Sequence, residues 1–318
     1  MRALHYAIAL CGLVVLLHGG VLAQEASRDN FLVEQGVARR PESYAAGTVV
    51  LSNRFGRVEI SRYAAQVLSY VPAGGREVFY MPDDRDFSKT REMHGGVPLC
   101  WPCFNMSGEP FSSQHGFARY SNWRVVEEYS DDDLSRAVLE LVSTPETKRI
   151  WPFDFRLAYT VTLTDRLVLD LRTVNTADPR TASGKWFELT QGFHAYFNVS
   201  DPKGVTVAGV MGADGACTTV RGASPLSHTS PVVSGEYTLD DPGSSRSIAV
   251  ATRGATDLVL WNPGGEPLKS RSNRTPGDEG RFLCVEPVVL RERGAVRVCP
   301  GCETRLQMSV REVRHDVR

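Results

Sequence analysis

The chain has 318 residues, of which 42% are hydrophobic and 23% are charged, so global disorder and a coiled coil are excluded. Its 36 Lys and Arg residues nearly balance 37 Asp and Glu residues, which leaves no positive excess to neutralise a phosphate backbone. We therefore expect no nucleic-acid partner and predict a small-molecule ligand.

Residues 1–23 have the layout of a secretory signal peptide. Arg2 precedes an apolar run over residues 7–17, and small residues lead to Ala23. This run is shorter than the roughly 20 residues that a membrane-crossing helix needs. We predict cleavage after Ala23, a secreted or otherwise extracytoplasmic chain, and no stable membrane insertion. An uncleaved membrane anchor is the alternative.

The remaining chain is predicted to consist mainly of β-strands. Residues 24–44 lack patterned apolar surface and are expected to form an extended lead-in. Residues 155–163 alternate apolar and polar side chains, and the alternation resumes after a short turn, which predicts a hairpin. Residues 63–71 are ambiguous, and the Pro-Ala-Gly-Gly turn that follows favours a strand. Further strands are expected at residues 49–51, 138–142, 205–207, 248–251, 258–261, 282–285 and 304–310.

Regularly spaced strands without helical crossovers predict an all-β fold, a large antiparallel sandwich or barrel. No internal repeat or linker divides the sequence. We therefore expect residues 45–314 to form one domain, and we expect a monomer.

The cysteines left after signal cleavage can form disulfides in an oxidising compartment. Cys299 and Cys302 flank a Pro-Gly turn, which predicts a tight loop disulfide. Cys100 and Cys103 have the same spacing. A redox pair or half of a zinc site is the alternative, but no thioredoxin-like pattern surrounds either pair. Sequons that could be glycosylated in a eukaryotic cell begin at Asn105, Asn198 and Asn273.

Three apolar or aromatic stretches contain titratable side chains, which need a partner or a function if they are buried. His194 lies in an aromatic strand, and Glu286 ends an apolar one. The third stretch holds His94, followed by Gln114, His115 and Arg119. Taken singly, each histidine could be an ordinary buried residue bonded to backbone carbonyls, and Glu286 could face water.

Together these stretches resemble the hexose-6-phosphate mutarotases, or glucose-6-phosphate 1-epimerases, of the aldose 1-epimerase family. The resemblance covers residues 47–313 and implies a galactose-mutarotase-like β-supersandwich that needs no cofactor or metal. Its motifs, in chain order, are Gly-Gly-Val-Pro-x-Cys-Trp-Pro at 95–102, His-Gly-Phe-Ala-Arg at 115–119, Glu-Thr-Lys at 146–148 with Trp-Pro-x-Asp-Phe at 151–155, His-x-Tyr-Phe-Asn-Val at 194–199, Trp-Asn-Pro-Gly at 261–264 and Cys-Val-Glu at 284–286.

The resemblance also implies roles for the titratable residues. Glu286 corresponds to the general base toward the C1 hydroxyl, and His194 to the general acid toward the ring oxygen, on opposite sides of the bound pyranose. His115 would hold the opened aldehyde. Arg119 corresponds to an arginine that contacts the sugar phosphate, and Gln114 is a further candidate for sugar binding.

Two positions depart from the family pattern. His94 stands where the family has an arginine, which weakens the case for phosphate binding, and Arg91 is a candidate replacement. Glu236 lies in the segment where the family carries an aspartate. We therefore expect a glucose-6-phosphate 1-epimerase, with two alternatives: a mutarotase for a free aldose or glycan reducing end, and a carbohydrate-binding module without turnover.

Overall fold

The computed structural model describes residues 47–83, 94–106, 111, 114–181, 185–265 and 275–314. Strands dominate these ranges, and their sheet pairings are antiparallel, which confirms the predicted all-β architecture. The single α-helix in the described ranges, α1 (Pro145–Ile150), has less than two turns. No helix there is both long and apolar enough to span a bilayer. The predicted signal peptide and the lead-in at 24–44 lie outside the described residues.

The largest sheet has nine strands, numbered here in chain order. In spatial order they are β13 (Cys217–Arg221), β12 (Thr206–Met211), β15 (Glu236–Asp241), β16 (Arg246–Arg253), β20 (Glu303–Arg314), β8 (Leu167–Asn175), β7 (Phe155–Leu163), β6 (Ser135–Val142) and β5 (Arg124–Ser130).

A second sheet carries six strands. In spatial order they are β14 (Leu226–Pro231), β17 (Asp257–Asn262), β18 (Phe282–Val289), β10 (Gln191–Phe193) and β4 (Leu99–Cys100), and β11 (Tyr196–Asn198) also pairs with β18. Two smaller sheets complete the fold. They comprise β1 (Thr48–Asn53), β2 (Gly56–Ser61) and β3 (Val67–Pro72) in one, and β9 (Phe187–Leu189) with β19 (Val296–Val298) in the other.

Burial patterns show how the two large sheets pack. Strands β7 and β8 bury every second residue, which confirms the predicted hairpin, whereas all eight residues of β18 are buried. Leu283 and Val285 of β18 join the core cluster that also contains Leu157 and Tyr159 of β7. Because side chains alternate along a strand, Glu286 lies on the opposite face of β18 from this core.

A buried arginine ties the two large sheets together. Arg246 of β16 donates one hydrogen bond to the backbone oxygen of Asn198 in β11, at 2.6 Å. Its other terminal nitrogen lies 3.3 Å from the carboxylate of Glu312 in β20, and both side chains are only 3% exposed. The contact fixes the end of β11, near the titratable residues of the second sheet.

The structure also decides two further expectations, one about a strand and one about a disulfide. The ambiguous segment 63–71 forms a strand only from Val67 onward, because Ala64 and Ala65 adopt left-handed φ angles of 64° and 49°. Its first part is therefore a turn rather than the expected strand. The loop disulfide between Cys299 and Cys302 is present, as predicted.

Candidate active site

A cavity of about 920 Å³ opens on the side of the six-stranded sheet that faces away from the core. Arg91 lies outside the described residues. The other six residues selected from the sequence all line the cavity: His94, Gln114, His115, Arg119, His194 and Glu286. The fold therefore brings together side chains that span almost two hundred residues of chain.

Strand β18 fixes the position of Glu286. Its backbone pairs opposite Val259 of β17, which in turn pairs opposite Thr229 of β14, so the three residues form one row across the sheet. Glu286 is 1% exposed. A carboxylate held this firmly in a buried strand can contact a ligand only through the cavity that it lines.

His194 occupies the short connection between β10 and β11. Its backbone N–H donates to the carbonyl of Pro98 at 3.0 Å. Its ring stacks on Tyr196 with a centroid separation of 4.8 Å and an interplanar angle of 8°, and meets Trp261 edge-on at 5.7 Å. These aromatic contacts orient the imidazole.

The His194 ring points its Nδ1 toward Glu286 Oε2, at a distance of 3.5 Å. That contact is too long for a good hydrogen bond, and neither atom is hydrogen-bonded to any described residue. The expectation that acid and base lie on opposite sides of the pyranose is wrong, because no sugar ring fits between atoms this close. Both groups belong to neighbouring segments of one sheet and therefore approach a ligand from the same side.

Burial shifts the pKa of both members of this pair. It raises the pKa of Glu286 well above the ordinary range, against the opposing charge of Arg119. It lowers the pKa of His194 well below the ordinary range, and the charges of His115, Arg119 and His94 act in the same direction. Both shifts favour the uncharged forms, so between the two pKa values the pair holds one proton, and that proton lies on Glu286.

His115 lies in a tight turn against Trp101. The φ angles of His115 and Gly116 are 69° and 72°, and a side chain at Gly116 would meet the backbone oxygen of Trp101 at 2.2 Å. The His115 ring meets that of His194 edge-on at 5.4 Å. Its Nδ1 accepts the backbone N–H of Asn105 at 3.2 Å, so a neutral His115 carries its proton on Nε2 and can donate from there.

Arg119 lies in the short 3-10 helix Ala118–Tyr120, and only 6% of it is exposed. Its guanidinium lies over the Tyr120 ring, 5.5 Å from the centroid. At this depth the positive charge acts on Glu286 and His194, while it offers little surface to a bulky anion.

Thiols are poorly suited to redox chemistry here. Cys100 and Cys103 are buried free cysteines. Burial raises the pKa of both, that of Cys103 to about 11, so the reactive thiolate is scarce near neutral pH. Cys284 lies beside the pair, and its sulfur and one ligand atom each of His194 and Glu286 all lie within 4.8 Å of one another. This trio has the atom types and spacing that could hold a metal ion.

Comparison with known proteins connects this geometry to a family. The family model described as aldose 1-epimerase matches residues 47–311. The chain belongs to the aldose 1-epimerase family. It is therefore an isomerase that acts on carbohydrates, as the motifs predicted.

Individual relatives of this epimerase carry more specific names. A protein of Escherichia coli (strain K12) named "Putative glucose-6-phosphate 1-epimerase" is 30% identical over 253 residues, which cover 75% of this chain and 81% of the relative. One of the same name from Cenchrus ciliaris is 26% identical over 275 residues, covering 80% and 81%. A solved structure from Salmonella typhimurium, described as a "putative mutarotase", matches with a TM-score of 0.73 at 24% identity, covering 84% of this chain and 90% of that one. This likeness shows the predicted mutarotase fold.

Two polar residues on the cavity wall of this epimerase, His94 and Gln114, are more exposed than Arg119. His94 and Gln114 are each half-buried on the cavity wall, and His94 meets Tyr196 edge-on at 6.3 Å. Glu236 lies elsewhere: it is exposed on β15 and lines a separate depression on the nine-stranded sheet. It therefore does not supply the family aspartate to this cavity.

Sequence reasoning missed one end of the cavity. Asp257, Arg291 and Arg293 line it, although none was selected. Asp257 opens an apolar strand, and the arginines flank Glu292 directly after the strand that carries Glu286. The sequence did carry a signal for this end of the cavity: one apolar strand begins with a charged residue, and further charged residues directly follow the next apolar strand.

Proposed function

We propose that this epimerase interconverts the α and β anomers of glucose 6-phosphate, with Glu286 as general base and His194 as general acid. The observation that carries the proposal is the 3.5 Å approach of their Nδ1 and Oε2 atoms, buried in the cavity wall and without hydrogen bonds to described residues. The names of the curated relatives support the choice of substrate.

The chemistry requires two proton transfers at one carbon. C1 of a pyranose bears both the hydroxyl oxygen O1 and the ring oxygen O5, so two adjacent groups can serve both. Once the proton of the pair has moved from Glu286 to His194, Glu286 accepts the O1 proton while His194 donates its proton to O5, the C1–O5 bond breaks and a C1 carbonyl forms. After rotation about C1–C2 the transfers reverse, and the ring closes on the other face. The pair carries one proton before and after.

Neighbouring side chains would assist the opened form. The Nε2–H of His115 is the donor suited to the carbonyl oxygen, where negative charge collects in the transition state. Trp261 and Tyr196 line the cavity beside His194 and provide aromatic surface for the apolar face of a sugar.

A second substrate class remains in competition, a free aldose or the reducing end of a glycan. The deep burial of Arg119 and the presence of His94 in place of an arginine favour it, since neither presents an exposed permanent cation next to the pair.

One experiment separates the two substrate classes. Exchange NMR measures the interconversion of anomers for glucose 6-phosphate and for glucose, with and without protein. Faster exchange for glucose 6-phosphate at low concentration supports the proposal, and faster exchange for glucose alone supports the second class. Unchanged exchange of both sugars would refute the proposed reaction for both classes. His94→Arg should improve the preference for the phosphorylated sugar if this position contributes to phosphate binding.

We also propose that the chain is exported after cleavage of residues 1–23. The support is the apolar run over residues 7–17 followed by small residues up to Ala23. Intact-mass measurement of protein recovered from its native cells should give a mature chain that begins at Gln24. A chain that retains Met1 would contradict cleavage.

A further inference from the structure

The cavity extends along β18 in both directions from Glu286. On one side, His94 packs against Tyr196, whose backbone pairs opposite Cys284, two residues before Glu286. On the other side, Arg291 lines the cavity five residues after Glu286. His94 and Arg291 thus mark opposite ends, with the acid–base pair between them.

Three arginines line this cavity among the residues that the structure describes. Arg119 is almost wholly buried beside the pair. Arg293 is committed to an ion pair, with its Nε 2.5 Å from Oδ1 of the buried Asp257. Arg291 is exposed and forms no ion pair with a described residue. It is therefore the guanidinium best placed to meet an anion.

The segment that carries Arg291 is anchored at the cavity edge. Asp257 accepts hydrogen bonds from Thr256 Oγ1 at 2.7 Å and from Arg293. Thr256 Oγ1 in turn accepts the backbone N–H of Leu290 at 3.1 Å. The residue that precedes the short 3-10 helix Arg291–Arg293 and the last residue of that helix are thereby tied to residues 256 and 257, at the start of β17, so the exposed arginine projects from a fixed backbone.

The wall between Glu286 and this arginine offers apolar surface beside the buried Asp257, which is paired with Arg293. Val259 and Leu290, both half-buried, line it. From Glu286 to Leu290 the chain is extended over four residues, about 13 Å. That interval can be covered by a pyranose whose C1 lies at Glu286, together with a substituent at the far end of the sugar. The Arg291 side chain then extends back toward this substituent.

We infer that Arg291 binds an anionic group, a phosphate or a carboxylate, carried on the part of the sugar remote from C1. The planar guanidinium presents paired donors that match the oxygens of either group. The inference rests on the proposed epimerase function and adds to it the residue that selects charged sugars. It places the anion at the end of the cavity opposite His94.

The test is Arg291→Gln, with Arg253→Gln as a matched control at an exposed arginine outside the cavity. Exchange NMR gives kcat and KM for glucose 6-phosphate, glucuronic acid and glucose. We expect Arg291→Gln to raise KM for a charged sugar about tenfold, as loss of a hydrogen-bonded ionic contact does, and to leave KM for glucose and all kcat values unchanged. The control should match the unaltered protein.

The three sugars identify the anion. A higher KM for glucose 6-phosphate alone assigns the subsite to phosphate, and one for glucuronic acid alone assigns it to carboxylate. Unchanged KM values for both, or an equal rise for glucose, would overturn the inference. A second variant, Glu292→Gln, should have the opposite effect on KM. Glu292 is exposed beside Arg291, so the loss of its negative charge should lower KM for the charged sugar.

Failure of the proposed function would give a different pattern. If the unaltered protein accelerates no sugar, the epimerase proposal falls. Calorimetric binding of glucose 6-phosphate and of glucuronic acid still tests Arg291, because the inference requires the variant to bind at least one of them about tenfold more weakly. Equal affinity of variant and unaltered protein for both sugars would refute the subsite independently of turnover.

Discussion

Replacing Glu286 by Gln removes the proposed base and changes little else. The two side chains have nearly the same shape. Burial raises the pKa of Glu286, which means that its surroundings favour an uncharged group, and Gln is uncharged. We therefore expect the free energy of unfolding to change by less than about 1 kcal/mol, within the range of an ordinary hydrogen-bond exchange.

The loss of turnover should be far larger. A positioned base contributes about 10²–10⁴-fold to such reactions, which corresponds to roughly 3–5 kcal/mol of activation free energy. His194 keeps its place 3.5 Å away but has no group to exchange a proton with. We expect kcat to fall by that factor and KM to change less than about threefold, since the amide still hydrogen-bonds O1.

Exchange NMR at saturating sugar measures the rate, and thermal melting checks the fold. Glu236→Gln is the matched control, because this carboxylate is exposed on β15 outside the cavity. Its rate should be unaltered. Adding His194→Asn to Glu286→Gln should cost little more than either change alone, as expected for two groups that act as one unit. A Glu286→Gln protein that folds and keeps its full rate would refute the proposed mechanism.

Three further outcomes follow from the structure. The rate should be highest at the pH values where the histidine–carboxylate pair holds one proton. In the rate–pH profile, the acidic limb, set by His194, should therefore lie below the ordinary histidine pKa of 6.5, and the alkaline limb, set by Glu286, should lie well above 4.5. An acidic limb above 6.5 would contradict this reasoning. Gly116→Ala should destabilise by about 2 kcal/mol more than Gly215→Ala in thermal melts, because both φ angles are positive but only Gly116 faces the Trp101 oxygen. Arg246→Met should cost about 3–5 kcal/mol in urea unfolding, because it removes the cation that lies beside the buried carboxylate of Glu312; a cost below 1 kcal/mol would show that this contact does not stabilise the fold.

The fold class was predictable because strand periodicity is local. Residues 155–163 alternate so regularly that their burial could be assigned from sequence, and the structure agrees. The turn at Ala64 and Ala65 was not predictable, since alanine carries no signal for a left-handed backbone. Here the tertiary contacts set the conformation.

The composition of the cavity was partly predictable and its geometry was not. Motif order selected His194 and Glu286, but their 3.5 Å separation depends on pairing between β10, β11 and β18, which joins segments some ninety residues apart. Arg291 escaped selection because an exposed arginine after a strand looks like ordinary surface. Its significance depends on Arg293 and Asp257, which fix it at the cavity edge.

The complete burial of β18 constrains how this protein can diversify. A slip of one residue would bring Val285 or Pro287 to the place of the carboxylate and turn the core side chains outward. The position of the proposed base is therefore fixed together with the strand, whereas the connections bearing Gln114 and Arg291 can vary without shifting it. Libraries that randomise those rim positions should yield folded proteins with new sugar preferences, and libraries within the strand should yield mostly inactive ones.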